Sequence, residues 1–195
     1  MQFVHIFLNT WVTRLGILVF EYIVPYLRYL LAYMFKYKQY KLHMPQVVLV
    51  NPLIPPNTGN IARTCAARST ELHLVGPLGF ELSNRYLKRA GLDYWPHVKL
   101  HYHESLDIFQ DVYHKRGGRC LGFSVRGNYS YTKFAYKESD WLVFGSETDG
   151  LPKSFLEKCD YTLTIPMKDP QIRSLNLSVS VAVALFESCR QLGYL

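Results

Sequence analysis

From residue 45 onward, short apolar runs alternate with longer stretches of helical character, and this alternation constrains the fold more than any other feature. The runs occupy 47–50, 72–75, 120–125, 141–144 and 161–165. Between and after them lie helix-like segments at 58–68, 84–90, 105–113, 153–158 and 175–192. Strands that are apolar without interruption are buried on both faces, so helices must cover each side. The pattern predicts βαβ units, giving an α/β domain with a mainly parallel sheet flanked by helices. No repeat or low-complexity linker divides it, so residues 45–195 read as one domain.

Residues 1–44 are different. They are aromatic-rich and acid-poor, and they end in the basic cluster Lys36, Lys38 and Lys41. The charged residues Arg14, Glu21 and Arg28 recur every seven positions and would share one helix face. No charge-free stretch there reaches the ~20 residues that a spanning helix needs. Pro25 would kink a helix. Three readings stay open: an extension upstream of a functional start at Met44, a weak membrane or targeting segment, or a folded accessory helix. Of the net charge of +7, +4 falls in this segment. The domain itself is only mildly basic, which permits an RNA partner without requiring one.

Cysteines 65, 120, 159 and 189 are dispersed, with no paired spacing, which argues against a zinc site and for reduced thiols in a cytoplasmic protein. His101 and His103 are the nearest approach to a metal pair. No further Cys or His completes a set in the sequence, so they read as solvated loop residues and no metal is expected.

Three loops at strand ends have unusual composition, and in open α/β sheets ligands bind at such ends. The first is NPLIPPNTGNIAR, residues 51–63, where the prolines stiffen the loop and Asn57 or Thr58 would cap the next helix. Asn60 and Arg63 are three apart and share a side of that helix, next to a helix start suited to anions. The second is FGSETDGLP, residues 144–152. Gly145 there would let a ligand approach the backbone. The loop is neither a Walker A loop nor a nucleophile elbow. Glu147 is either catalytic or a hydrogen-bonding residue. The third is IPMKDPQIRSLNLS, residues 165–178, where Asn176 and Ser178 fall at the start of a strongly apolar helix.

Taken together and in this order, N-x-G-N-x-x-R, F-G-x-E-x-x-G-L-P and I-P-M…S-L-N-L-S resemble the three motifs of the SpoU/TrmH-type SPOUT RNA methyltransferases. KRAGLDYW at 88–95 and the terminal RQLGY look like the TrmL subgroup, tRNA wobble-position 2′-O-methyltransferases. The resemblance spans about residues 46–194 and leaves the leader outside. It implies a C-terminal deep trefoil knot, a homodimer, S-adenosylmethionine (AdoMet) as cofactor and no metal. By position it implies that Phe123, Gly145, Ile165, Ser174 and Ser178 face the cofactor. Arg63, Asn60, Glu147, Asn176 and Arg173 would form the catalytic set. Arg63 as a base is chemically awkward because guanidinium stays protonated, so stabilising the developing alkoxide or anchoring a phosphate is favoured. The anticodon stem-loop of tRNA would be gripped by Arg68, Arg85, Lys88 and Arg89, with Tyr94 or Trp95 available for stacking. Ser146 stands where the family commonly has proline, and the loop 167–174 is one residue longer than usual. The rival readings are a catalytically silent RNA-binding protein of the same fold and a methyltransferase acting at another tRNA or rRNA position.

Overall fold

The computed structural model describes residues 44–82 and 94–195, together with Tyr26 and Tyr29. By contact the chain divides into two units, 1–42 and 43–195, and the second carries the fold described here. Its elements are β1 (Gln46–Val50), α1 (Pro55–Ala67), β2 (Glu71–Val75), β3 (Lys99–His103), α2 (Leu106–Arg116), β4 (Cys120–Phe123), β5 (Tyr129–Ser130), β6 (Trp141–Phe144), α3 (Lys153–Leu156), β7 (Tyr161–Thr164) and α4 (Leu177–Gln191). A short 3₁₀ turn at Trp95–His97 leads into β3.

The strands form one seven-stranded sheet in the order β3-β2-β1-β6-β4-β7-β5, and every pairing is parallel. The alternating faces of its central strands seed two cores. Val47, Leu49, Leu72, Leu74, Leu121, Leu142 and Phe144 pack with Ile61, Cys65, Val181 and Leu185 from α1 and α4. Val48, Val50, Val75, Trp141 and Val143 pack with Phe109 of α2 and Phe155 of α3 on the other side. Burial on both faces is the physical reason that β1 and β6 are apolar without alternation. Among the described residues, no helix is long and apolar enough to cross a membrane.

Three expectations need correction. The first helix begins at Pro55, with Ile54 as N-cap and no side-chain cap, so neither Asn57 nor Thr58 caps it. Proline is well suited to a helix's first turn, where its missing N–H costs nothing. The strand expected at 120–125 ends at Phe123. His101 and His103 are not solvated loop residues but lie in strand β3, with His103 buried. The expected helix at 84–90 lies outside the described residues, as do Arg85, Lys88 and Arg89.

Candidate functional site

The strand order runs outward from β1 through β2 to β3, and the chain then crosses to build β4, β6 and β7 on the other side of β1. A cleft of about 770 Å³ opens beyond the carboxyl ends of β4, β6 and β7. That is where the change of direction in a doubly wound sheet leaves room for a ligand, and the volume lies in the range of small-molecule sites. Phe123 and Phe144, stacked with centroids 4.5 Å apart, contribute its apolar floor. Ile165, Leu175 and Leu177 extend the apolar lining.

All three polar loops reach this cleft. Gly145 follows β6 and begins a tight turn closed by paired backbone bonds between Ser146 and Gly150. A Cβ on Gly145 would lie 1.9 Å from the carbonyl carbon of Gly150, so only glycine permits this closure. Gly150 takes φ 70°, a conformation that favours glycine.

Glu147, in that turn, holds the first loop. Its Oε2 accepts from the Leu53 backbone N–H at 2.8 Å, and its Oε1 accepts from the Ile54 N–H at 3.3 Å. Oε1 also accepts from Asn57 Nδ2 at 3.0 Å. The anion at the start of α1 is therefore the protein's own carboxylate. Asn57 Oδ1 in turn accepts from Asn176 Nδ2 at 2.9 Å. Asn176 caps α4 by accepting from the Ser178 N–H at 2.8 Å and the Ser178 hydroxyl at 2.7 Å. Thus Glu147, Asn57, Asn176 and Ser178 form one hydrogen-bonded relay joining all three loops. Sequence reasoning missed Asn57 as its centre; the residue opens the N-x-G-N segment, which was the available signal.

Of the expected site residues, Phe123, Gly145, Glu147, Ile165, Arg173, Ser174 and Asn176 line the cleft. Ser178 acts behind Asn176 and does not line it. Asn60 and Arg63 are exposed on α1 and do not line it either. Arg63 is six residues beyond Asn57, which turns it about 120° away around the helix. Its guanidinium sits over the Tyr94 ring, 5.5 Å from the centroid. Arg68 has an internal role: Nη2 donates to the Tyr194 carbonyl at 2.6 Å, and the guanidinium lies over Phe186.

A parallel α/β sheet whose strand-end loops tie together around an apolar-floored cleft defines a small-molecule-binding α/β domain of the enzyme type. The chain belongs to the SpoU rRNA Methylase family, whose model matches residues 44–186. A tRNA (cytidine(34)-2'-O)-methyltransferase of Burkholderia cenocepacia (strain HI2424) is 44% identical over 153 residues, covering 77% of this chain and 97% of its own. A relative from Synechocystis sp., provisionally named for the same activity, is 60% identical over 149 residues, 76% of this chain and 97% of its own. A solved structure described as "Structural insights into the 2-OH methylation of C/U34 on tRNA" matches with TM-score 0.73 and 51% identity, over 77% of this chain and 97% of that one. The AdoMet complex of the SpoU methyltransferase AviRb from Streptomyces viridochromogenes shares the fold, with TM-score 0.69 at 24% identity, over 78% of this chain and 59% of that one.

Proposed function

We infer that this chain is an AdoMet-dependent tRNA ribose 2′-O-methyltransferase acting on the wobble nucleotide, C34 or U34. The observation that carries this reading is the convergence of all three motif loops on one cleft, in a chain 44% identical to an enzyme named for that reaction.

The cleft suits AdoMet. The cofactor has no phosphate, and the cleft has no phosphate-binding lysine. Phe123, Phe144 and Ile165 offer an apolar surface for an adenine, and the backbone at Gly145 and the Ser174 side chain offer polar partners to the nucleoside. When bound, AdoMet supplies a methyl group already activated on sulfonium, so the protein's work is alignment and the handling of one proton. The relay through Glu147, Asn57 and Asn176 fixes the loops that would do the aligning.

Arg63 is the residue assigned to the developing alkoxide or the adjacent phosphate. Because it points away from the cleft of its own chain, this reading takes the active protein as a homodimer in which a second copy brings Arg63 to the site. Val179 and Phe186, 46% and 41% exposed on α4, supply apolar surface for such an interface. The C-terminal trefoil knot belongs to the same reading, as do Asn60 and Arg173 beside the target ribose and Arg85, Lys88 and Arg89 on the anticodon stem-loop. Residues 45–195 are taken as the catalytic unit in the cytoplasm, and residues 1–44 as an extension outside it.

The test is incubation of the full chain with AdoMet and tRNA lacking 2′-O-methylation, followed by mass-spectrometric mapping. Methylation at ribose 34 is expected. Tight tRNA binding without transfer would favour the silent RNA-binding alternative, and transfer elsewhere would reassign the target.

A further inference from the structure

At the opposite end of the sheet from the cleft, Glu71 and His73 of β2 and His101 of β3 face the same side. The parallel register sets His73 directly beside His101, with Glu71 two residues before His73. We propose that Glu71, His73 and His101 form a binding site for a divalent transition cation of the zinc type, distinct from the methyl-transfer cleft.

Three observations carry this. The first is spacing. Glu71 Oε2 lies 3.5 Å from His73 Nε2 and 3.2 Å from His101 Nε2. The three donor atoms all fall within 4.8 Å of one another. Zinc bonds of about 2.0–2.2 Å in tetrahedral geometry put neighbouring donors roughly 3.3 Å apart, close to the two distances from Glu71 to the imidazoles. The second is an orphan atom. His73 is fully buried, and its Nε2 has no hydrogen-bond partner among the described residues. Such an atom is costly to leave unpaired. The third is the support behind it. His73 Nδ1 lies 2.9 Å from His103 Nε2. With Nδ1–H donating to His103, Nε2 presents its lone pair toward Glu71, the arrangement that ligating histidines use.

Two features set the conditions for binding. The His73 and His101 rings stack with centroids 4.5 Å apart, so His101, whose side chain is 40% exposed on the edge strand, must turn its ring to share a cation. Arg116 Nη1 sits 2.6 Å from Glu71 Oε2 and occupies the carboxylate as a competing cation. Its side chain is 41% exposed, and displacing it would also break its 2.9 Å bond to Gln46 Oε1 and its contact over Trp141. The site takes two imidazoles and one carboxylate, a donor set that prefers zinc-like ions to magnesium or calcium. It would clip edge strand β3 to β2.

The test uses the full chain stripped with a chelator and titrated with Zn2+ by calorimetry, with Co2+ absorption as a second readout of geometry. One Zn2+ per chain is expected, bound at least tenfold more weakly in Glu71→Gln and in His101→Ala. Arg116→Gln removes the competitor and is expected to bind Zn2+ more tightly. No measurable binding would overturn the site. So would affinity unchanged by Glu71→Gln and His101→Ala, or Arg116→Gln binding no tighter than the parent.

Discussion

Glu147 and Asn57 are ninety residues apart in the chain, yet the Asn57 amide donates to the Glu147 carboxylate at 3.0 Å, across two loops of the same cleft. The same carboxylate accepts the Leu53 and Ile54 backbone N–H groups, so removing it strands donors at the start of α1. Hydrogen bonds to a charged group contribute about 1.5–3 kcal/mol each in favourable cases. Glu147→Ala is expected to lower stability by about 2–3 kcal/mol in urea unfolding, and Glu147→Gln by roughly half that. Both should weaken AdoMet binding in calorimetry, because the 145–150 turn and the start of α1 line the site. Parental stability in Glu147→Ala would mean that the carboxylate faces solvent instead.

Gly145 makes a sharper demand. The closest atom to an added Cβ is Gly150 carbonyl carbon at 1.9 Å, with Gly150 oxygen and Leu151 nitrogen at 2.1 Å. All three are backbone, so no side chain can rotate away. Gly145→Ala is expected to cost about 1–3 kcal/mol, the usual range for forced overpacking. AdoMet affinity should fall at least tenfold as the turn opens. Thermal melts with and without AdoMet check both effects, and an unchanged ligand-induced shift would separate the turn from the cofactor.

How much of this was legible in the sequence depends on where the deciding force acts. The runs at 47–50 and 141–144 announced strands buried on both faces, and the apolar segment beginning at Leu175 announced α4, because burial writes itself directly into composition. The three loops were visible as clusters of Pro, Gly and Asn. β3 was not visible as a strand: Lys99-Leu-His-Tyr-His103 alternates polar groups, and the burial of His103 depends on His73 of β2 and Phe109 of α2. Asn57 looked like a cap because its true partners, Glu147 and Asn176, are distant in sequence. The direction of Arg63 was equally hidden. It follows from Ile61, Ala62 and Cys65 turning inward, a packing choice that local spacing does not decide.

The boundary near residue 43 leads to a prediction about the leader. The two contact units meet between residues 42 and 43, and the family match begins at residue 44. Val47 to Leu49 are paired on both sides, by β2 and by β6, so β1 needs no partner from the leader. A protein starting at Met44 is expected to fold with a melting temperature within a few degrees of the full chain and to retain methyl transfer. Loss of transfer with folding intact would assign residues 1–44 a part in the reaction. Membrane association, if the leader confers it, should disappear from vesicle flotation with the same truncation.

Arg63 offers the strictest test of the dimeric reading. It is exposed, away from its own cleft, and holds a cation–π contact with Tyr94, so Arg63→Ala should leave stability within about 0.5 kcal/mol. AdoMet binding should survive and methyl transfer should be lost. If Arg63 served its own chain's cleft, mixing that variant with a second inactive one would restore nothing. If it serves the neighbouring chain, the outcome is different. Asn176→Ala damages the cleft, through the lost bond to Asn57, while leaving Arg63 intact. Random exchange of equal amounts makes half the dimers mixed, and each mixed dimer holds one site with both a sound cleft and a sound arginine. Activity should therefore return to roughly a quarter of the parental level after subunit exchange. No recovery, with mixed dimers verified by native mass spectrometry, would confine each active site to one chain.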